Sequence, residues 1–178
     1  EQASAVTKMT HAQATAIFRA AGITWSSSGN CSDRNNPTCT SFTNINDSTV
    51  YGVRTLKTAS GCAVNITGGT ETGHASGTYS HWNGYKVDIS KYTCVGNYIH
   101  NNFTRIANRS DGALQWRSGA GNIYACEALF AAGIVSRVAV FAGPAHAAAD
   151  ARSTAGDLVG IARMVHGDVF RNNVHLKI

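Results

Sequence analysis

Two apolar runs, Cys62-Ala63-Val64-Asn65-Ile66-Thr67 and Tyr85-Lys86-Val87-Asp88-Ile89, are separated by a stretch that no regular element can span, GGTETGHASGTYSHWNG from Gly68 to Gly84. Its five glycines decide this. Glycine inside a helix or strand costs roughly 0.5–1 kcal/mol relative to alanine, because it loses the most backbone freedom on ordering. The segment therefore reads as a long loop delivered by one short β-rich run and collected by another. It also concentrates Glu71, His74 and His81 and runs on to Asp88. Imidazole and carboxylate supply ligands or proton carriers, and glycine lets the backbone turn tightly around them. A metal or acid–base site at a strand mouth needs that combination.

Alternation gives the geometry. If Tyr85 to Ile89 is extended, Tyr85, Val87 and Ile89 share one face while Lys86 and Asp88 share the other. Gly84 permits a turn that brings His81 back beside Asp88. One imidazole and one carboxylate make up two of the three protein ligands usual at a catalytic zinc, whose fourth position is kept for water. A purely structural His81–Asp88 hydrogen bond is the alternative for the same spacing.

Ser80, His81, Gly84 and Asp88 together resemble the SxHxxGxAxD signature of the LAS metallopeptidases, the zinc D-Ala-D-Ala carboxypeptidases and their relatives. The whole run GGTETGHASGTYSHWNGYKVDI is similar to small secreted actinobacterial and fungal members, and the similarity extends over residues 10–127 or so. The resemblance implies that His81 and Asp88 bind zinc. It also implies an α+β fold, a small antiparallel sheet with helices packed on one face. In that family a glutamate, followed three residues later by the third zinc-binding histidine, closes the site. Glu127 stands where the glutamate falls and is the expected general base, but Phe130 stands where the histidine should be. Either a later histidine completes the set or the site is incomplete. His166, in HGDV, resembles the family's HWDV ending and is the expected third ligand, with His146 and His175 as the other candidates.

The rest of the loop is read against the same resemblance. Family members that trim a C-terminus hold the substrate carboxylate with an arginine near residues 70 and 71, where this chain has Thr70 and Glu71, which argues against a simple carboxypeptidase. Glu71 is expected to contact an amine or water in the cleft, or else to be a solvated loop carboxylate. His74 is expected to line the pocket, or else to lie on the surface. Trp82 and Tyr85 are the expected sugar- or peptide-binding wall, the alternative being local aromatic packing.

Bulk properties exclude some classes. At 178 residues, 43% of them hydrophobic and 14% charged, the chain suits one folded domain over 1–178, with an Ala-rich, divergent C-terminal segment from 131. No apolar run approaches the roughly 20 residues that cross a bilayer. The absence of a signal peptide at Glu1 is what a processed, secreted chain would present. A net charge of +5 favours an anionic partner such as a bacterial wall. The basic residues are scattered, so nucleic acid is not the expected partner, and a monomer is expected.

The five cysteines place the chain in an oxidising compartment. Cys31 with Cys39 would staple a polar loop, and Cys62 with Cys94 would bridge the two sides of the site loop. Spacing alone does not fix that connectivity, and Cys126 is left as a free thiol or a partner in another pairing. Asn30, Asn46, Asn65, Asn102 and Asn108 each begin an N-glycosylation tripeptide, as a secreted chain allows.

Three helices are predicted. Thr10-His11-Ala12-Gln13 forms a capping box for a helix over 11–21. Asn46 or Asp47 caps a second through Ala59, with Val50, Val53 and Leu56 inward and Gly61 ending it. Val95, Tyr98, Ile99 and Phe103 recur at helical spacing and predict a third over 94–106. Leu114–Arg117 and Asn122–Phe130 read as a hairpin around Gly119-Ala120-Gly121, and Pro144 can open a helix toward Val165.

The function expected from all this is a secreted zinc peptidase cutting peptide bonds of bacterial peptidoglycan. A catalytically inactive module binding wall peptide or glycan is the alternative, favoured by Phe130. A metal-dependent nuclease ranks last, since no second metal-binding carboxylate or phosphate cradle is present.

Overall fold

The structure, a computed structural model, describes residues 6–90, 92–128 and 135–141, with side chains through Cys126. The described residues are α+β, with three helices, two sheets and two disulfides among them. Helix α1 spans His11–Ala20 and carries the predicted capping box: the Gln13 N–H donates to Thr10 Oγ1 (3.2 Å) and the Thr10 N–H to Gln13 Oε1 (2.9 Å). It buries Ala14, Thr15 and Phe18. Helix α2, Asp47–Ser60, buries the predicted Val50, Val53 and Leu56 and ends at Gly61, whose φ of +65° is the left-handed cap that glycine favours.

Helix α3 is shorter than its periodicity predicts. It covers Thr93–Asn102, after which Thr104–Ile106 forms strand β6. Val95 and Ile99 do face the core. Asn101 and Asn102 are weak helix formers, and the β-branched Thr104 and Ile106 gain more from pairing with Leu114–Arg117 (β7), so the helix stops a turn early.

The remaining strands are β1 (Lys8–Met9), β2 (Thr24–Trp25), β3 (Ile45–Asn46), β4 (Asn65–Gly68), β5 (Lys86–Ser90), β8 (Ile123–Ala128) and β9 (Val135–Phe141). β1 and β3 form a small antiparallel sheet; the others form a seven-stranded sheet in the order β2-β4-β5-β9-β8-β7-β6. Among the described strands, only the β2–β4 pair is parallel. The predicted hairpin is β7 and β8, turning through Gly121 at φ +83°. Strand β9, absent from the sequence prediction, lies between β5 and β8.

One buried cluster joins α1, α2 and α3 to the sheet through Phe18, Phe42, Val53, Val87, Ile89 and Ile99. The alternation predicted for β5 holds: Val87 and Ile89 belong to this core and Asp88 to the opposite face. Both faces are covered, since Lys86 and Asp88 are buried as well.

Cys31–Cys39 and Cys62–Cys94 are bonded, with Cα separations of 4.8 and 5.7 Å, as expected; Cys126 is unbonded to another cysteine. Asn46 is fully buried at the start of α2, so its tripeptide is closed to a glycan in the folded chain. No helix among the described residues is long and apolar enough to cross a membrane. His146, His166, His175, Phe130 and the helix predicted from Pro144 lie outside the described residues.

Candidate metal centre

The glycine-rich loop folds back over the polar face of β5. Gly84 (φ +79°) donates its N–H to the His81 carbonyl (2.8 Å), closing the predicted turn. Its α-carbon is also pressed against Asn44 and Ile45, where a β-carbon would come within 2.5 Å of the Asn44 carbonyl oxygen. The turn delivers His81 to Asp88, with Nε2 3.4 Å from Oδ1 and both side chains almost wholly buried. His81 Nδ1 lies 2.7 Å from the Gly69 carbonyl oxygen. A carbonyl only accepts, so Nδ1 carries the proton and Nε2 is the nitrogen presented to Asp88.

His74 joins them. Its ring stacks on that of His81 at 3.8 Å between centroids and 15° between planes. One donor atom each from His74, His81 and Asp88 lies within 4.8 Å of the others. A tetrahedral zinc with ligands at about 2.0–2.1 Å spaces them about 3.4 Å apart, the separation already present between His81 and Asp88. Two nitrogens and one carboxylate oxygen are a donor set that zinc accepts. The structure therefore brings together a group able to hold a metal ion.

Glu71 stands behind this group. Expected in the cleft as a contact for substrate, it is 3% exposed, and its carboxylate accepts the Ser41 N–H (2.8 Å), the Gly69 N–H (3.0 Å) and the His74 Nε2–H (2.9 Å). Burial pushes its carboxyl up, but the hydrogen bonds from His74, Ser41 and Gly69 outweigh burial and hold it below the usual carboxylate range. The ionised form fixes the orientation of His74, the role carboxylates play behind metal-binding histidines.

Glycine also makes room here. A β-carbon on Gly68 would sit 3.0 Å from Asp88 Oδ2 and 3.2 Å from His74 Cε1; one on Gly69 would lie 2.0 Å from the Ser41 carbonyl oxygen. Neither position tolerates a side chain without displacing the site or the loop beside it.

Arg34, on the loop closed by Cys31–Cys39, clamps the site loop from outside. Its Nε donates to the Thr70 carbonyl (3.2 Å), a terminal nitrogen donates to the Trp82 carbonyl, and the guanidinium lies 3.6 Å over the Trp82 ring. Trp82, 44% exposed, lines a cleft of about 290 Å³ together with Glu71, His74 and Ser80. Tyr85 instead packs edge-to-face on Tyr79 at 5.1 Å.

Of the residues singled out in the sequence, the structure brings His81, Asp88, His74 and Glu71 together. Glu127 is described by its backbone: Asp88 pairs with Ala139 and Ala139 with Ala125, so position 127 belongs to the same sheet face, two strands over. Sequence reasoning missed His74 as a ligand and Arg34 altogether. The Glu71-x-x-His74 spacing was the available signal for the first; nothing in the sequence ties residue 34 to the site.

Neither a family model, nor a curated protein, nor a solved structure matches the chain.

Proposed function

We propose that this chain is a secreted, zinc-dependent peptidase acting on peptide bonds of bacterial cell-wall peptidoglycan. The observation that carries the reading is the convergence of His74, His81 and Asp88 donor atoms within 4.8 Å beside an open cleft. The similarity of residues 80–88 to the LAS signature supplies the reaction class, and the two disulfides agree with an extracellular setting.

His81 and Asp88 are the ligands in this reading and His74 joins them. The Gly69 carbonyl holds the His81 tautomer, and Glu71 holds His74. Bound there, zinc supplies a Lewis acid and a water whose pKa falls toward about 7. Trp82 forms one wall for the substrate chain, and Arg34 keeps that wall in place. Glu127 is the carboxylate assigned to take the proton from water, on the same sheet face as Asp88. His166, the ligand that the LAS resemblance implies, becomes redundant if His74 fills the third position.

A second reading, a wall-binding module without catalysis, is favoured by Phe130 standing where the family has its histidine. Digestion of purified peptidoglycan separates the two. The peptidase reading predicts release of soluble peptides that stops with a chelator and returns with zinc; wall binding without release at any zinc concentration supports the module instead.

A further inference from the structure

A second cleft, of about 540 Å³, opens beside the first, and its volume is in the range of ligand-binding clefts. The two share Ser76, Gly77 and Ser80, so a ligand lying in the first can continue into the second. The charges along its wall are already committed. Arg109 is held two-pronged by Asp111, Nε to Oδ1 at 2.7 Å, and Lys86 is 6% exposed and engaged within the protein. The hydroxyls of Ser76, Thr78, Tyr79 and Ser110 are not: these residues line the cleft, and none of their hydroxyls bonds to a protein group among the described residues. A hydroxyl both donates and accepts. A wall of them therefore matches a neutral ligand whose own groups do the same, which is the chemistry of a sugar. The wall is also braced. The Asn83 side-chain amide donates to the Gly77 and Thr78 carbonyls, at 3.0 Å each, and Tyr79 packs edge-to-face on Tyr85. Bracing in advance spares a ligand the cost of ordering the loop, and the half-buried Tyr79 ring adds an apolar surface with a polar tip.

We propose that this second cleft is a sugar subsite of the metal centre, in which Ser76, Thr78, Tyr79 and Ser110 bind the N-acetylated amino sugar to which a wall peptide is joined. The proposal rests on the peptidase reading for its ligand class. It deepens that reading by placing the sugar in one cleft and the peptide in the other, with Ser80 where the two meet.

The test is calorimetric titration of the full chain with N-acetylmuramoyl-L-Ala-D-isoGln and with D-lactoyl-L-Ala-D-isoGln, which differ in the sugar alone. Metal content and peptide release from whole peptidoglycan are measured in parallel. The muramoyl probe is expected to bind about tenfold more tightly, the scale of one or two hydrogen bonds between neutral groups. Thr78→Val with Ser110→Ala changes two exposed positions that line the second cleft and not the first, and is expected to abolish the difference while metal content stays unchanged. Equal or absent binding of the two probes by the unmodified protein, a comparison that depends on no variant folding, overturns the proposal. So does a difference that survives in the folded double variant. A zinc-bearing protein that releases wall peptides yet does not distinguish the probes loses the sugar subsite alone. A metal-free protein that releases none yet prefers the muramoyl probe loses the peptidase reading and keeps the subsite.

Discussion

The Glu71 carboxylate accepts two backbone N–H groups and an imidazole N–H in a place water barely reaches. Glu71→Ala would leave the Ser41 and Gly69 donors buried without an acceptor, at about 1–3 kcal/mol each. Urea unfolding is expected to show a loss of about 2–6 kcal/mol, with His74 released as well. Gly68→Ala has a different signature: its new methyl meets Asp88 Oδ2 and His74 Cε1, so zinc affinity is expected to drop about tenfold while the melting temperature changes little. A competition titration against a chromophoric chelator reads that out, and an unchanged affinity would show that Gly68 is not part of the cradle. At this scale the His81–Asp88 pair was legible, because strand alternation plus one glycine turn fixes which side chains meet. His74 was not, because seven residues of glycine-rich loop before His81 have no fixed pitch and only the tertiary bonds of Glu71 place the ring.

The element that backs the site loop is segment 41–43, whose Ser41 carbonyl accepts the Thr70 N–H (2.6 Å). It is pinned to the first turn of α1, where the Phe42 N–H donates to His11 Nδ1 (3.0 Å) and the two rings stack at 5.3 Å. The partner of His11 lies 31 residues away, so its neighbours in the sequence do not reveal the contact. Burial, with Arg19 nearby, lowers the His11 pKa. The neutral ring is the one that accepts from Phe42, so the stabilisation is complete above the unfolded value of about 6.5 and is lost as pH falls through the lower native value. Thermal melts at pH 7.5, 6.5 and 5 are expected to show a decline between the last two that His11→Gln does not share. Capping boxes and helix faces were readable because they depend on neighbours three or four residues apart. The end of α3 and the whole of β9 were not, because each is decided by a strand partner: β6 by β7, and β9 by β5 and β8 on its two sides.

Across the molecule, the two disulfides divide the work unequally. Cys62–Cys94 closes a separation of 32 residues that contains the entire site loop, and Cys31–Cys39 closes one of 8. Loop-closure entropy assigns about 3.7 kcal/mol to the longer and about 2.5 kcal/mol to the shorter. Replacing Cys62 and Cys94 with alanine is therefore expected to lower the denaturant midpoint more than replacing Cys31 and Cys39. The shorter pair is instead expected to matter for ligand binding, through the Arg34 clamp. The α+β class was readable from the resemblance, and both disulfides were among the pairings considered though spacing left the connectivity open; the order of seven strands was not readable, because β2–β4 and β5–β9 join strands that are not consecutive in the chain and β4–β5 spans the whole site loop. The account turns on one claim, that His74, His81 and Asp88 form a single metal centre. Elemental analysis of the purified chain beside His74→Ala, His81→Ala and Asp88→Ala tests it most directly. Close to one zinc per chain, lost in all three variants while each stays folded, is the predicted result; a metal-free chain, or zinc retained in His74→Ala, would contradict it.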